Sequence, residues 1–284
     1  MNTIYITLII FSVIALALGL GLGLGLGLKK DEKDEKDEKD YNKIMNNKEL
    51  YDYVEDDFIE RNIFQTHKSQ EYINSNKSLV SAQNSWKQHK KYKYNFYDND
   101  ACDKFMKEEF SDIYDVYNNL PKPVMKADMW RYCIIYKYGG VYADADTVCN
   151  ISNLDILFNR NSKLIGVPEN KSVDESFFMC QWVFAAPKGS PILKSIIDLL
   201  IERSVEENEG EHFIHYKTGP GIFTDGIENW LKNNNLKLYK NKEDYNNYRD
   251  KNMHIYEAKN FHSNYINHLF SGSWENGWKS NSYK

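Results

Sequence analysis

The stretch over residues 126–149, KADMWRYCIIYKYGGVYADADTVC, limits what this chain can fold into more than any other part of it. Its first half has apolar residues at helical spacing, with Ile134, Ile135 and Tyr138 on one stripe, and predicts an amphipathic helix. Asp128 and Arg131, three apart, share a face near the start of that helix. Gly139-Gly140 ends the helix where a left-handed residue is required. Val141-Tyr142-Ala143 is short and β-prone, and the chain then delivers Asp144 and Asp146 at the strand's carboxyl end, the edge at which α/β sheets bind ligands. Two carboxylates this close repel unless a cation lies between them. Oxygen ligands at this spacing suit Mg²⁺ or Mn²⁺, which commonly also take phosphate oxygens from a substrate. The stretch reads as a site for a metal–diphosphate.

Each piece has a plainer reading. A bare Asp-x-Asp is weak, and Asp98-Asn99-Asp100 has the same form where a turn after a strand is expected. Asp128 and Arg131 alone match a surface ion pair worth under about 1 kcal/mol. The whole string is more specific. Ala127-Asp128-x-x-Arg131, an apolar helix and Gly-Gly-x-Tyr-x-Asp-x-Asp resemble the core motif of the DXD-type glycosyltransferases of family 32. That family includes fungal outer-chain and sphingolipid mannosyltransferases and capsule-type sugar transferases.

The resemblance implies an α/β, GT-A-like fold: a Rossmann-like nucleotide-sugar-binding half and a mixed sheet with flanking helices. It implies a hexosyltransferase that takes a nucleoside-diphosphate sugar as donor, a glycan or glycolipid hydroxyl as acceptor and Mn²⁺ or Mg²⁺ as cofactor, with anomeric configuration retained. Asp128, Arg131, Asp144 and Asp146 are the expected catalytic residues. Asp146 would bind the metal directly, while Asp144 would hold hydroxyls or a metal-bound water. Near the end, His268 followed by Gly272-Ser273-Trp274 matches the family's closing motif, which makes His268 the expected third ligand and Trp274 a cover over the donor. Gln65, Tyr142, Gln181 and Gly219 are the other expected substrate-binding residues. Gln181 stands where the family usually has Asn, and Gly219 lies in a Thr-Gly-Pro turn. Phe64 and His67 stand where the family usually has His and Trp, so the residues that read the nucleotide base depart from the pattern. Mannose from GDP-mannose is the first expectation for the donor; galactose, glucose and N-acetylglucosamine from UDP are the alternatives. A non-catalytic carbohydrate-binding protein on the same fold is the rival from another class. A metal-dependent phosphodiesterase or nuclease would want more His and Asp ligands.

Three domains are expected: a membrane anchor over 1–28, a charged stalk over 29–50 and the transferase domain over 51–284. Residues 3–28 are almost wholly apolar and long enough to cross a hydrocarbon core of about 30 Å. They end without a small-residue cleavage site, which favours an uncleaved signal-anchor and a single-pass membrane protein. The Lys residues that follow the span argue for a cytosolic domain; the family resemblance argues for the Golgi or ER lumen, which is favoured here. The DEK repeat over 31–40 cannot bury a core.

Within 51–284, strands over 61–67 and 93–98 and a helix over 101–117 alternate in the manner of a parallel α/β sheet. No Gly-x-Gly-x-x-Gly and no P-loop occurs, which argues against NAD, FAD and P-loop chemistry. A net charge of −5 argues against nucleic acid as a partner. The four cysteines show no Cys-x-x-Cys, so a zinc site is not expected, and Cys133 reads as a buried thiol.

Overall fold

A computed structural model describes residues 59–169, 178–206, 212–236 and 252–271. The expected anchor, the stalk, the first residues of the expected transferase domain and Trp274 lie outside the described residues. Among the described residues, no helix is long and apolar enough to cross a membrane.

The chain enters the sheet through β1 (Asn62–Thr66) and crosses by α1 (Gln70–Ser75) and α2 (Lys77–Lys87) to β2 (Lys93–Tyr97). It returns through α3 (Asn99–Glu109), α4 (Tyr114–Asn118) and α5 (Pro123–Tyr138) to β3 (Gly140–Ala143). Next come β4 (Thr147–Cys149), α6 (Asp155–Phe158), β5 (Leu164–Gly166) and β6 (Val183–Ala186). Helices α7 (Pro191–Ser204), α8 (Phe213–Lys217) and α9 (Pro220–Asn233) precede β7 (Met253–Ile255). A short turn of helix, α10 (Ala258–Asn260), runs into a π-helical turn (Phe261–Tyr265) and β8 (Ile266–His268).

The main sheet has the order β2-β1-β3-β6-β5-β7, and β4 pairs separately with β8. Strands β2, β1 and β3 are parallel, as helical crossovers require. The sheet is not parallel throughout: β6 runs antiparallel to both β3 and β5. Alternate strand residues feed two separate cores. Phe64, Tyr142, Phe184 and Leu164 face a core shared with α3, α5, α7 and α9. Ile63, Val141, Val183 and Ile165 face a second core with Trp86, Phe158 and Phe261. Both faces are covered, so the central strands are apolar on both sides.

Three expectations change. The helix expected over 101–117 is two helices, because Phe110 leaves helical geometry at φ −134° and packs on Phe105 and Tyr136. Asp98 is not a turn residue of the expected kind but the N-cap of α3, its side chain accepting from Ala101 N–H at 2.9 Å. Helix α5 is buried almost all round rather than amphipathic: every residue from Asp128 to Ile135 is buried, while Tyr138 lies at the surface. It is held between the sheet on one side and α3 and α7 on the others. Burial of each large apolar side chain on it contributes about 1.5–3 kcal/mol.

The end of α5 is set sterically. Gly139 has φ +65° and Gly140 φ +121°. A Cβ on Gly139 would lie 1.7 Å from the Glu60 carboxylate and 2.6 Å from the Lys188 nitrogen; one on Gly140 would lie 2.6 Å from the Asn62 carbonyl. Only glycine lets the chain pass from helix to strand here.

Candidate active site

Strand β3 ends at Ala143, and the Asp144 backbone is fixed on both sides. Its N–H donates to the Trp182 carbonyl at 2.8 Å, and its carbonyl accepts from Gln65 Nε2 at 3.0 Å and Thr147 Oγ1 at 2.6 Å. Gln65, expected to meet a substrate, is fully buried beneath this strand end. Its other amide atom accepts from the Tyr94 hydroxyl at 2.8 Å, so Gln65 acts on the Asp144 carbonyl.

Strand β8 brings in the histidine. Thr147 and His268 are partners in the antiparallel β4–β8 pair. His268 Nε2 thereby lies 3.6 Å from Asp144 Oδ2 and 3.5 Å from Asp146 Oδ1. Ligand atoms of all three side chains lie within 4.8 Å of one another. Residues 269–271 close round this cluster. Leu269 N–H donates to the Asp146 carbonyl at 2.9 Å, Phe270 N–H to His268 Nδ1 at 2.9 Å, and Ser271 N–H to Asp146 Oδ2 at 3.0 Å. The imidazole stands edge-to-face on Trp182, with centroids 4.9 Å apart, and is covered by Phe270 at 4.3 Å.

Behind the acids lies a buried polar network. Arg131 NH2 pairs with Asp128 Oδ1 at 3.0 Å, and NH1 reaches Asp144 Oδ1 at 3.4 Å and donates to the Gln181 carbonyl at 3.1 Å. The guanidinium also lies 4.7 Å over the Tyr142 ring, and the Tyr142 hydroxyl donates to Asp144 Oδ1. Asp128 is 1% exposed. Its carboxylate accepts from Gln181 Nε2 at 3.1 Å and from Thr218 Oγ1 at 2.9 Å. The Tyr132 hydroxyl lies between the Thr218 carbonyl, at 2.8 Å, and the Gln181 side-chain oxygen.

Burial opposes charge on every group here, and neighbours decide the outcome. For Asp144, Arg131, His268 and the Tyr142 hydroxyl outweigh burial and hold the pKa below the usual carboxylate value. For Asp128 burial prevails over Arg131 and pushes the pKa up to about 6. For His268, Asp144 and Asp146 outweigh burial and raise the pKa above that of a free imidazole. Two carboxylates and an imidazole form a hard O/N donor set that fits Mg²⁺ or Mn²⁺, whose six-fold coordination would leave positions for phosphate or water.

The structure therefore brings Asp144, Asp146, His268 and Arg131 together and places the remaining expected residues around them. Asp128 and Gln181 sit one layer behind, and Asp128 meets the cluster through Arg131. Tyr142 is 1% exposed and acts on Asp144 rather than facing solvent. Gly219 caps α9 against α8, where a Cβ would lie 2.9 Å from His215 Cα; the side chain that its turn sends to the site is Thr218. Phe64 belongs to the core, stacked 6.2 Å from Tyr138. His67 closes the carboxyl end of β1, stacked on Tyr72 at 4.7 Å, with its Nδ1 buried and without a hydrogen-bond partner. All four cysteines are buried.

Sequence reasoning missed Tyr132, Trp182, Phe270 and the side chain of Thr218. Thr218 was signalled by its Thr-Gly-Pro turn; the others carry no local signal.

A family model described as the glycosyltransferase sugar-binding region containing the DXD motif matches residues 32–163. An initiation-specific α-1,6-mannosyltransferase of Candida albicans is 29% identical over 201 residues, 59% of this chain and 52% of that protein. Its namesake in Schizosaccharomyces pombe is 32% identical over 140 residues, 43% of this chain and 35% of that protein. This chain thus spans about half or less of the length of these curated relatives. Among solved structures, the PaToxG glycosyltransferase is similar at a TM-score of 0.43 and 15% identity, over 70% of this chain and 78% of that one.

Proposed function

We propose that this chain, which carries the DXD-type sugar-binding region of the glycosyltransferases, transfers a hexose from a nucleoside-diphosphate sugar to a hydroxyl of a glycan or glycolipid. The observation that carries this reading is the convergence of Asp144, Asp146 and His268 at the carboxyl edge of β3, with the Arg131 guanidinium beside Asp144. Asp146, Asp144 and His268 would hold Mn²⁺ or Mg²⁺. A divalent cation there supplies positive charge against the departing diphosphate.

The chain's own residues do the rest. Asp144 stays ionised because Arg131, His268 and Tyr142 surround it, so it can accept from ribose or sugar hydroxyls. Arg131 is aimed by Asp128 and the Gln181 carbonyl. Asp128, Gln181 and Thr218 orient Arg131 and thus the anomeric carbon. With Phe64 in the core, base reading narrows to His67 and its neighbours at the end of β1. The acid set supports turnover, the family resemblance supports retention, and the mannosyltransferase names of the relatives support mannose first, with UDP-linked galactose, glucose or N-acetylglucosamine as alternatives. Residues 1–28 anchor the enzyme in the membrane, with its domain on the Golgi or ER lumenal side.

The test is a donor screen of purified protein with Mn²⁺ and individual GDP- and UDP-sugars, run beside Asp146→Ala. Transfer or hydrolysis of one donor, lost in the variant, supports the reading. Donor binding with no turnover of any sugar would favour a carbohydrate-binding protein instead.

A further inference from the structure

Two imidazoles from one short stretch of chain pack on the same indole. His262 lies in the π-helical turn Phe261–Tyr265, and His268 ends β8. Trp182 meets both, with ring centroids 5.1 Å from His262 and 4.9 Å from His268. The π-helical turn is closed by the Ile266 N–H, which donates to the Phe261 carbonyl. Single turns of this kind are rare and gather at functional sites. His262 is itself tied down, its Nε2 donating to the Pro168 carbonyl at 3.0 Å.

Trp182 is fixed from its own side of the molecule. It immediately precedes β6, its side chain is buried, and its carbonyl accepts the Asp144 N–H at 2.8 Å. One residue therefore holds the main chain of an acid and the ring of the histidine that meets it. The arrangement matters because acids and imidazole reach the site by different routes. Asp144 and Asp146 follow β3 in the main sheet, whereas His268 stands on β8, which pairs with β4 outside it. That pairing sets where His268 stands but not where its ring points, since two side-chain torsions remain free. Contact with the indole removes that freedom.

We propose that Trp182 is a positioning residue: packed on His262 and His268, its indole sets the approach of the His268 imidazole to Asp144 and Asp146. The inference rests on the Asp144–Asp146–His268 cation site proposed above. It also makes His262, which is not among the three ligands, a contributor to cation affinity through Trp182.

The experiment measures Mn²⁺ affinity of the full chain without donor, by calorimetry, with thermal unfolding of each variant as a check of the fold. Trp182→Leu is expected to weaken Mn²⁺ binding by about 10- to 100-fold, as loss of a residue supporting a metal-bound histidine does. Trp182→Phe keeps an aromatic ring and should restore affinity to within about threefold of wild type. His262→Leu removes the second imidazole from the indole and should weaken binding by about two- to tenfold. In the Trp182→Leu background the same change should add less than about twofold, because both residues act through one ring. Three results would overturn the role of Trp182: wild-type affinity in a folded Trp182→Leu, no recovery in Trp182→Phe, or losses at the two positions that multiply. If Trp182→Leu does not fold, wild-type affinity in His262→Leu overturns it. Absence of Mn²⁺ binding by the wild type, or binding unaffected by Asp146→Ala, would instead overturn the cation site itself and the inference with it.

Discussion

The Thr218 hydroxyl donates to Asp128 Oδ2 at 2.9 Å, joining the start of α5 to the turn before α9 across 90 residues of chain. Asp128 is buried, so a lost donor is not replaced by water. Thr218→Val is therefore expected to cost about 1–3 kcal/mol of stability and to lower turnover by loosening Arg131. Thr218→Ser restores the hydroxyl and should recover both. Chemical denaturation and steady-state kinetics of the three proteins measure this, and equal stability of Val and Ser variants would remove the hydrogen bond from the account.

Tyr142 tests how Asp144 is aimed. Tyr142→Phe keeps the ring beneath Arg131 and removes only the donor to Asp144 Oδ1. Turnover should fall on the order of tenfold, because a charge-assisted bond is lost, and stability by about 1.5–3 kcal/mol. A fall in stability without a fall in kcat would make Tyr142 a packing residue.

The pH dependence should carry the signature of Asp128. Burial pushes its carboxyl up to about 6 in the folded protein, above its ordinary value. Below that pH it becomes neutral and no longer holds Arg131 by charge, so transfer should fall on the acid side with a midpoint near this value. Asp128→Asn should show low activity without that limb. For stability the sign is reversed: the folded state takes up the proton more readily than the unfolded chain, so protonation favours folding. As pH falls from 6 towards 4, wild type should gain stability relative to Asp128→Asn, whose residue cannot titrate. Parallel melts at several pH values give the answer.

Gly139 offers a purely steric prediction. Alanine there must adopt φ +65° and place its Cβ against the Glu60 carboxylate and the Lys188 backbone. Gly139→Ala should cost about 2–5 kcal/mol, through strain and overpacking combined. The Glu60 side chain can move and the Lys188 backbone cannot, so Gly139→Ala combined with Glu60→Ala should recover only part of the loss.

The path from α5 through the two glycines to the acids was legible in the sequence because every signal in it is local: helical spacing, a double-glycine stop, a short β-prone run. The extent of the helix break at Phe110 was not, because residues 101–117 keep an apolar period across it and the break is made by aromatic packing with Tyr136. The place of β6 was equally hidden. Nothing local in Val183–Ala186 says that it will enter between β3 and β5 in the reverse direction. Gln65 and Phe64 show the limit from another side. Their positions along β1 were read correctly, but period two assigns a face, and which face meets the site depends on what covers the sheet. His268 was found only through the family resemblance, since 124 residues separate it from Asp144.

Because β3 is apolar towards both cores, hydrophobicity would tolerate a shift of this strand by one residue almost as well as the true alignment. The glycines do not tolerate it, since a Cβ at either position has nowhere to go. Gly139 and Gly140 are therefore the zero mark of a ruler, and Asp144 is read off four residues later. A residue inserted into or deleted from 141–143 would leave the glycine stop in place, yet would carry the acids past the edge at which His268 lies.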